Sequence, residues 1–209
     1  MEKISVFCMF VLLSSNVAAL SCLDEPTCGA GILTQRALVA DAAVALVEAE
    51  ERLLSDFDRF HQAAKQGDSR AQYHLAWMYD DGAGVSQNDQ LAIKWYLVAA
   101  EQGDIDAQYN LALMYDKGEG VAQDFQQAMS WYRKAARQGD TDAQYNLGSI
   151  YLSGDGVTKS HVMAYMLWSV AAMSGDEGAT IGLNLIAKEM SAQQILEATL
   201  LAKQWIADC

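Results

Sequence analysis

Apolar and polar positions recur with a helical period along most of this chain. Ala71, Leu75 and Met78 are spaced by four and three residues, which places them on one face of a helix. A second apolar run carries Trp95 between two alanines, where the small residues allow close helix approach and the large ring fills the space between helices. The pattern predicts two short helices joined by a turn, over about residues 68–102.

This helical pair recurs every 36 residues. The tripeptide Gln-Gly-Asp, which becomes Ser-Gly-Asp in the last instance, marks the register at residues 66–68, 102–104, 138–140 and 174–176. Columns of alanine, leucine and tyrosine keep the same register between these marks. A repeat of this length indicates a fold in which stacked units share one continuous core.

Polar residues mark the start of each predicted helix. Asp68 and its equivalents precede the first helix of each unit, and the glycine before them ends the preceding helix. Asn88, Asp124 and Ser160 precede the second helix, and all three are good N-cap residues although they differ chemically. A Gly-x-Gly dyad, beginning at Gly82 in the first unit, separates the two helices. Each unit is therefore predicted as helix, glycine-bearing turn, helix.

The repeat resembles the Sel-one-like repeat (SLR), a relative of the tetratricopeptide repeat. The second unit carries the match in three segments, Ala107–Tyr115, Lys117–Val121 and Ala128–Gly139. The resemblance is strong over residues 57–174. It implies an all-α, right-handed α-solenoid of helix-turn-helix repeats with a 36-residue period, and a non-enzymatic scaffold for protein–protein contacts.

Both ends depart from the repeat, as the terminal units of a solenoid must. After Ala179 the sequence follows a first helix, but residues 188–190 replace the glycine turn and Ser191 opens a last helix with a capping box. No turn interrupts the segment before the first unit, which predicts one long helix: an amino-terminal cap or, alternatively, a coiled-coil docking helix. The predicted division is a signal peptide (1–19), a cysteine-bearing segment (20–33), a capping helix (34–67), three repeats (68–103, 104–139, 140–175) and a carboxyl-terminal capping half-repeat (176–209).

The first nineteen residues have the features of an export signal. Lys3 precedes an apolar run over residues 4–13, and small residues lead to a predicted cleavage after Ala19. The run is shorter than the roughly 20 apolar residues of a transmembrane helix, although an uncleaved anchor is the alternative. Export to the periplasm or outside the cell favours a disulfide between Cys22 and Cys28. A lipid anchor on Cys22 is the less favoured alternative.

Charge and motif content narrow the possible partners. The chain has 27 acidic and 14 basic residues, a net charge of -13, without a basic stripe that could bind a phosphate backbone. Its histidines, His61, His74 and His161, fall in no metal-ligand spacing, and no nucleophile elbow or phosphate loop is present. We therefore predict no nucleic-acid partner, no metal, no cofactor and no catalytic residues.

A stripe of varying residues inside the constant repeat is the candidate partner-binding site. It takes positions i, i+4, i+7 and i+11 of each first helix, apart from the packing face. In related solenoids the first helices line the concave surface, so the resemblance implies a groove that binds a peptide or protein partner. The stripe consists of Arg70, His74, Trp77, Asp81, Asp106, Asn110, Leu113, Lys117, Asp142, Asn146 and Ser149.

Two interpretations of the groove asparagines stay open. Asn110 and Asn146 could bond a bound peptide's backbone, or they could satisfy a neighbouring carbonyl within the solenoid. Trp77 is predicted as a binding hot spot, because its counterparts are leucine and serine and packing requires no aromatic ring there. Trp95 and Trp131, by contrast, are predicted core residues.

Two further functions are alternatives to an exported binding scaffold. Some cysteine-rich secreted relatives are associated with binding or hydrolysis of β-lactams and cell-wall precursors. Their cysteines recur inside each repeat, whereas none of the three repeats here contains one. Related repeats also occur in envelope machines such as the flagellar motor, which makes a structural component the other alternative.

Overall fold

The computed structural model describes residues 56–208, together with residues 42, 44, 45, 47–49 and 52. The chain divides into two compact units, Met1–Asp56 and Phe57–Cys209. Every described residue of the first unit is helical. The predicted signal peptide and the Cys22–Cys28 disulfide lie outside the described residues and stay predictions.

Over its described residues, the second unit consists of helices and their connections. Residues 57–65 are helical and form α1. The three repeats follow as pairs: α2 (Ser69–Asp81) with α3 (Asp89–Glu101), α4 (Ile105–Lys117) with α5 (Phe125–Arg137), and α6 (Thr141–Ser153) with α7 (His161–Met173). The chain continues with α8 (Glu177–Ile186), a 3-10 helix (Ala187–Glu189) and α9 (Ala192–Ala207). The predicted all-α fold with a 36-residue period is confirmed.

The predicted capping residues begin the helices. The Asp68 carboxylate accepts a hydrogen bond from the backbone N–H of Ala71 at 2.7 Å, and the Asn88 side chain accepts one from Leu91 at 3.0 Å. Equivalent residues cap the corresponding helices of the other two repeats. Gly82 ends α2 with φ of 75°, in the left-handed region that favours glycine. Both ends of each repeat helix are therefore set by local sequence.

Helices pack in chain order, and an alanine-rich core runs through the stack. The two helices of each repeat pack on one another, and each second helix also packs on the first helix of the next unit. Tyr96 and Tyr132 are fully buried between alanines such as Ala99 and Ala135. Ala76 and the buried apolar residues from Ala92 onward form one continuous cluster. Each repeat thus buries its apolar face only against its neighbours.

The tryptophan column is less buried than the sequence predicts. Trp131 is 7 % exposed, which confirms it as a core residue, but Trp95 is only partly buried. Trp95 packs beside a small cluster that includes Ala71 and Leu75. Trp95 also packs on the main apolar cluster, so it contributes to packing without the full burial that the sequence predicts. Tyr96 occupies the core of the first repeat.

The carboxyl-terminal helix begins with the predicted capping box and packs mainly on α7. The backbone N–H of Ser191 donates to Gln194 Oε1 at 2.9 Å, and the backbone N–H of Gln194 donates to Ser191 Oγ at 3.3 Å. Ala198 and Ala202 form the buried face of α9. The last helix therefore covers the end of the repeat core.

Helix α8 exposes a polar face where the earlier first helices are buried. Thr180 and Asn184 are exposed, whereas their counterparts 36 residues earlier, Gln144 and Gly148, are buried. Lys188 continues the exposed row one turn further along. Polar residues on an outer face are typical of the terminal unit of a solenoid.

A buried glutamine connects each repeat to the helix before it. Gln108 is 4 % exposed, and its Nε2 donates to the carbonyl oxygen of Ala100 at 3.0 Å. Its Oε1 accepts a hydrogen bond from Gln138 Nε2 at 2.8 Å. In the third repeat Ser174 takes the place of this second glutamine, and the buried Oε1 of Gln144 has no hydrogen-bond partner. We call these recurring glutamine–glutamine hydrogen bonds the glutamine ladder; its bond to Gln144 is missing in the third repeat.

Restoring that link should stabilise the protein. We expect Ser174→Gln to raise the free energy of unfolding by about 1 kcal/mol, because the new amide can donate to the buried oxygen of Gln144. Urea unfolding of the full chain measures the change. Ser174→Ala is the matched control, since it removes the serine hydroxyl without adding a donor. Equal stability of the two variants would contradict the ladder.

Candidate partner-binding face

The predicted groove residues share one stripe on α2, α4 and α6. Helical spacing places them beside each other, away from the buried face of each helix. None of the eleven is buried: five are exposed and six are partly buried. The exposed ones are Arg70, Trp77, Asp81, Lys117 and Asp142, and the partly buried ones are His74, Asp106, Asn110, Leu113, Asn146 and Ser149. We call this surface the first-helix face.

Arg70 joins the first and second repeats across this face. Its guanidinium forms a hydrogen-bonded ion pair with Asp106, and its Nη1 lies 3.6 Å from Asp104 Oδ2. The guanidinium also lies over the ring of Tyr73, 4.7 Å from the centroid. Exposed ion pairs contribute little stability. The main effect of Arg70 is therefore to neutralise the acidic residues between these two repeats.

No arginine occupies the equivalent position between the second and third repeats. The column of Arg70 continues with Asp106 and Asp142, next to the capping residue Asp140. Asp142 forms no ion pair with any residue that the structure describes. The pKa of Asp140 is raised by burial, and the charges of Asp142 and Asp106 raise it further. The amino-terminal ends of α4 and α6 therefore carry negative charge that is not fully compensated.

The first repeat adds an aromatic cluster to the face. The His74 ring lies 4.7 Å from that of Phe60 and 5.3 Å from that of Tyr73, centroid to centroid. Burial lowers the pKa of His74, and the charge of Arg70 lowers it further, so the imidazole is neutral at pH 7. Trp77, three residues further along the helix, is 41 % exposed. The first repeat therefore places several aromatic rings on or beside the first-helix face, and the side chain of Trp77 is exposed there.

The polar side chains in the middle of the stripe bond within the solenoid. Asn110 Nδ2 donates to the carbonyl oxygen of Asp106 at 2.9 Å, and Asn146 Nδ2 donates to the hydroxyl of Tyr109 at a long 3.5 Å. Ser149 Oγ donates to the carbonyl of Tyr145 at 3.0 Å. These contacts favour a structural role for the two asparagines, in hydrogen bonds within the solenoid, over hydrogen bonding to the backbone of a bound peptide. The exposed residues of the stripe are aromatic or charged.

The carboxyl-terminal ends of the first helices carry both signs of charge. Asp81 is exposed at the end of α2, and Lys117 occupies the equivalent position on α4. Lys117 Nζ lies 3.6 Å from Glu119 Oε1, an exposed pair of little energetic value. Leu113 lies one turn earlier and is partly buried. The face is therefore acidic at one edge and mixed in charge at the other, and Trp77 and Leu113 are the apolar residues between the two edges.

The tyrosine column Tyr73, Tyr109 and Tyr145 lies beside the stripe, and the sequence pattern alone did not connect it with the candidate site. Tyr109 and Tyr132 have ring centroids 5.9 Å apart, and Tyr145 stacks on Trp168 at the same distance. Tyrosine at 36-residue spacing was the available signal. These tyrosines of the first helices pack on aromatic rings of the second helices, so they hold the helices of the first-helix face against the core.

Other kinds of site find little support in the part of the chain that the structure describes. No group of three or more histidine, cysteine, aspartate or glutamate residues there could hold a metal ion. Among the same residues, no helix combines the length and the apolar character needed to cross a bilayer.

Solved structures resemble this chain over most of its described part. A Sel1 repeat protein from Oxalobacter formigenes is 34 % identical, with 69 % of this chain and 59 % of that chain covered and a TM-score of 0.61. A protective antigen of uropathogenic Escherichia coli with an SLR fold is 33 % identical, with coverages of 73 % and 40 % and a TM-score of 0.50. Cysteine-rich protein B of Helicobacter pylori is 23 % identical, with coverages of 63 % and 95 % and a TM-score of 0.50, and shares the fold alone. This chain thus matches only part of the length of the first two.

The family assignment rests on the repeats themselves. The Sel1 repeat family model matches residues 69–104, 105–140 and 141–176, each one residue later than the predicted units, and these cover more than half of the chain. None of the curated proteins matched. Proteins built from this repeat commonly serve as scaffolds for protein–protein contacts. The chain belongs to the Sel1 repeat family.

Proposed function

We propose that this chain is an exported, non-enzymatic scaffold that binds a peptide or protein partner on its first-helix face. The exposed side chain of Trp77 is the observation that carries the proposal. A tryptophan offers a large, rigid contact area, and such residues are enriched among binding hot spots. Its counterparts Leu113 and Ser149 indicate that the repeat itself does not need a ring at this position.

The proposed location follows from the sequence alone. The signal pattern of residues 1–19, with cleavage after Ala19, supports export to the periplasm or the medium. The Cys22–Cys28 disulfide is part of the same proposal, since disulfides persist in oxidising compartments. A lipid anchor on Cys22 is its less favoured form.

The test compares wild type with Trp77→Ala in cross-linking and capture from the native envelope, followed by affinity measurement on the captured partner. We expect Trp77→Ala to bind about 30-fold more weakly, roughly 2 kcal/mol, with an almost unchanged melting temperature. Leu196→Ala is the matched control, because Leu196 is 60 % exposed on α9 and lies off the first-helix face. The intact mass of the native chain, with and without reductant, checks cleavage and the disulfide in the same sample.

Two results would count against this function. Normal partner binding by Trp77→Ala would place the contact surface elsewhere. Severe unfolding of Trp77→Ala would make position 77 a packing residue, and the proposed site would lose its anchor.

A further inference from the structure

We infer that the segment bound on the first-helix face is basic as well as apolar, with arginine or lysine side chains flanking a row of apolar ones. This inference rests on the proposed function and specifies the chemistry of the partner. It follows from charge complementarity with the face, taken together with the exposed Trp77.

An arginine of the chain itself already binds at the acidic edge of the face, which lies at the amino-terminal ends of α4 and α6. Between the first and second repeats, Arg70 on α2 forms ion pairs with Asp106 on α4 and with Asp104, the capping residue of α4. One repeat later, the acidic pair recurs as Asp142 and Asp140, but the position equivalent to Arg70 is Asp106 on α4 instead of an arginine. The junction between the second and third repeats therefore has the carboxylates but no arginine to pair with them. A basic side chain from a partner would complete the same arrangement.

One bound segment could contact both the apolar residues of the face and its acidic edge, because these lie close together along each helix. Along α4, Leu113 follows Asp106 by seven residues, and along α2, Trp77 follows Arg70 by seven, which is about 10 Å on a helix. A segment that crosses the helices over Trp77 and Leu113 can therefore direct long basic side chains toward the acidic edge. The column of Trp77 and Leu113 continues with Ser149 and then with Leu185, which is 59 % exposed on α8.

The charges along this edge determine the sign of the partner. Its acidic residues are Asp104, Asp106, Asp140 and Asp142, and Arg70 is the one described cation that pairs with any of them. His74 adds no charge at pH 7, because its pKa is lowered. An acidic segment would meet uncompensated repulsion here, whereas a basic one would be attracted over the range of the Debye length.

The experiment pans the full chain against a random 12-residue peptide library displayed on phage, at low ionic strength. We expect enriched peptides to combine aromatic or leucine residues with arginine or lysine. For a synthetic copy of an enriched peptide, Asp142→Lys should weaken binding at least about tenfold, and Glu197→Lys, the same charge change on exposed α9, less than about twofold. Arg70→Gln should tighten binding severalfold, because it releases two carboxylates.

The outcomes separate this inference from the proposed function. Peptides that lose binding to Trp77→Ala but are acidic or neutral would overturn the basic partner and leave the binding face intact. Weaker binding of a basic peptide to Arg70→Gln would also overturn it. Peptides indifferent to Trp77→Ala, or no enrichment over an uncoated surface, would count against the binding face itself.

Discussion

Replacing Tyr132 by alanine should lower the free energy of unfolding by about 3–5 kcal/mol. The side chain is fully buried, so truncation loses its burial and leaves a cavity. Its ring lies against Tyr109, and its hydroxyl donates to Asp116 Oδ2 at 3.3 Å. Burial raises the pKa values of Tyr132 and Asp116, which is the mark of polar groups held away from water.

Urea and thermal unfolding of the full chain measure this change, and two variants separate its parts. Tyr132→Phe keeps the ring and removes the hydroxyl, so it should cost only about 1 kcal/mol. Trp95→Ala should cost less than Tyr132→Ala, because Trp95 is only partly buried. A larger loss for Trp95→Ala than for Tyr132→Ala would contradict this ranking of the two positions by burial.

Replacing Gly120 by alanine should destabilise the protein by about 2–4 kcal/mol, for two additive reasons. Gly120 has φ of +66°, where a Cβ is strained by about 1 kcal/mol. A Cβ there would also lie 2.3 Å from Asp89 Cβ, at the first residue of α3 in the preceding repeat. That neighbour is bonded directly to the helix backbone and cannot turn aside, so overpacking adds about 1–3 kcal/mol.

Gly82→Ala is the matched control, and both variants are compared by urea unfolding. Gly82 has a similar φ of +75°, but a Cβ there meets its nearest neighbour at an ordinary 3.4 Å. It should therefore show the backbone strain alone, about 1 kcal/mol. Equal losses for the two glycines would mean that repeats do not approach each other closely at Gly120.

The candidate site was predictable in its position and less so in its chemistry. The 36-residue register was enough to place Arg70, Trp77 and Asp142 on one accessible stripe. The pairing of Arg70 with Asp106, across 36 residues of chain, required the structure. So did the internal bonding of Asn110, since an asparagine in a sequence column could equally point at a ligand. A column of the repeat shows which residues occupy equivalent positions, but it does not show which atoms are in contact.

Sequence by itself determined the repeat, the helices and their ends, because those depend on contacts between residues close along the chain. Asp68 and Asn88 cap helices that begin just after them, and Gly82 ends one by its own backbone conformation. The period of 36 then makes each unit a copy of its neighbour. Stacking follows, since one repeat cannot bury its apolar face alone.

Only the tertiary structure decided how the third repeat absorbs its exceptions. Trp168 stands where the earlier repeats have tyrosine, and its ring occupies space that a Cβ on Gly148 or Gly182 would enter at 2.7 Å. Its indole nitrogen donates to the carbonyl of Tyr145 at 3.0 Å. The three residues that make this fit lie on three different helices, so their mutual dependence has no local signature in sequence. Dense packing in the interior joins them, because a larger ring is tolerated only where neighbouring volume is given up.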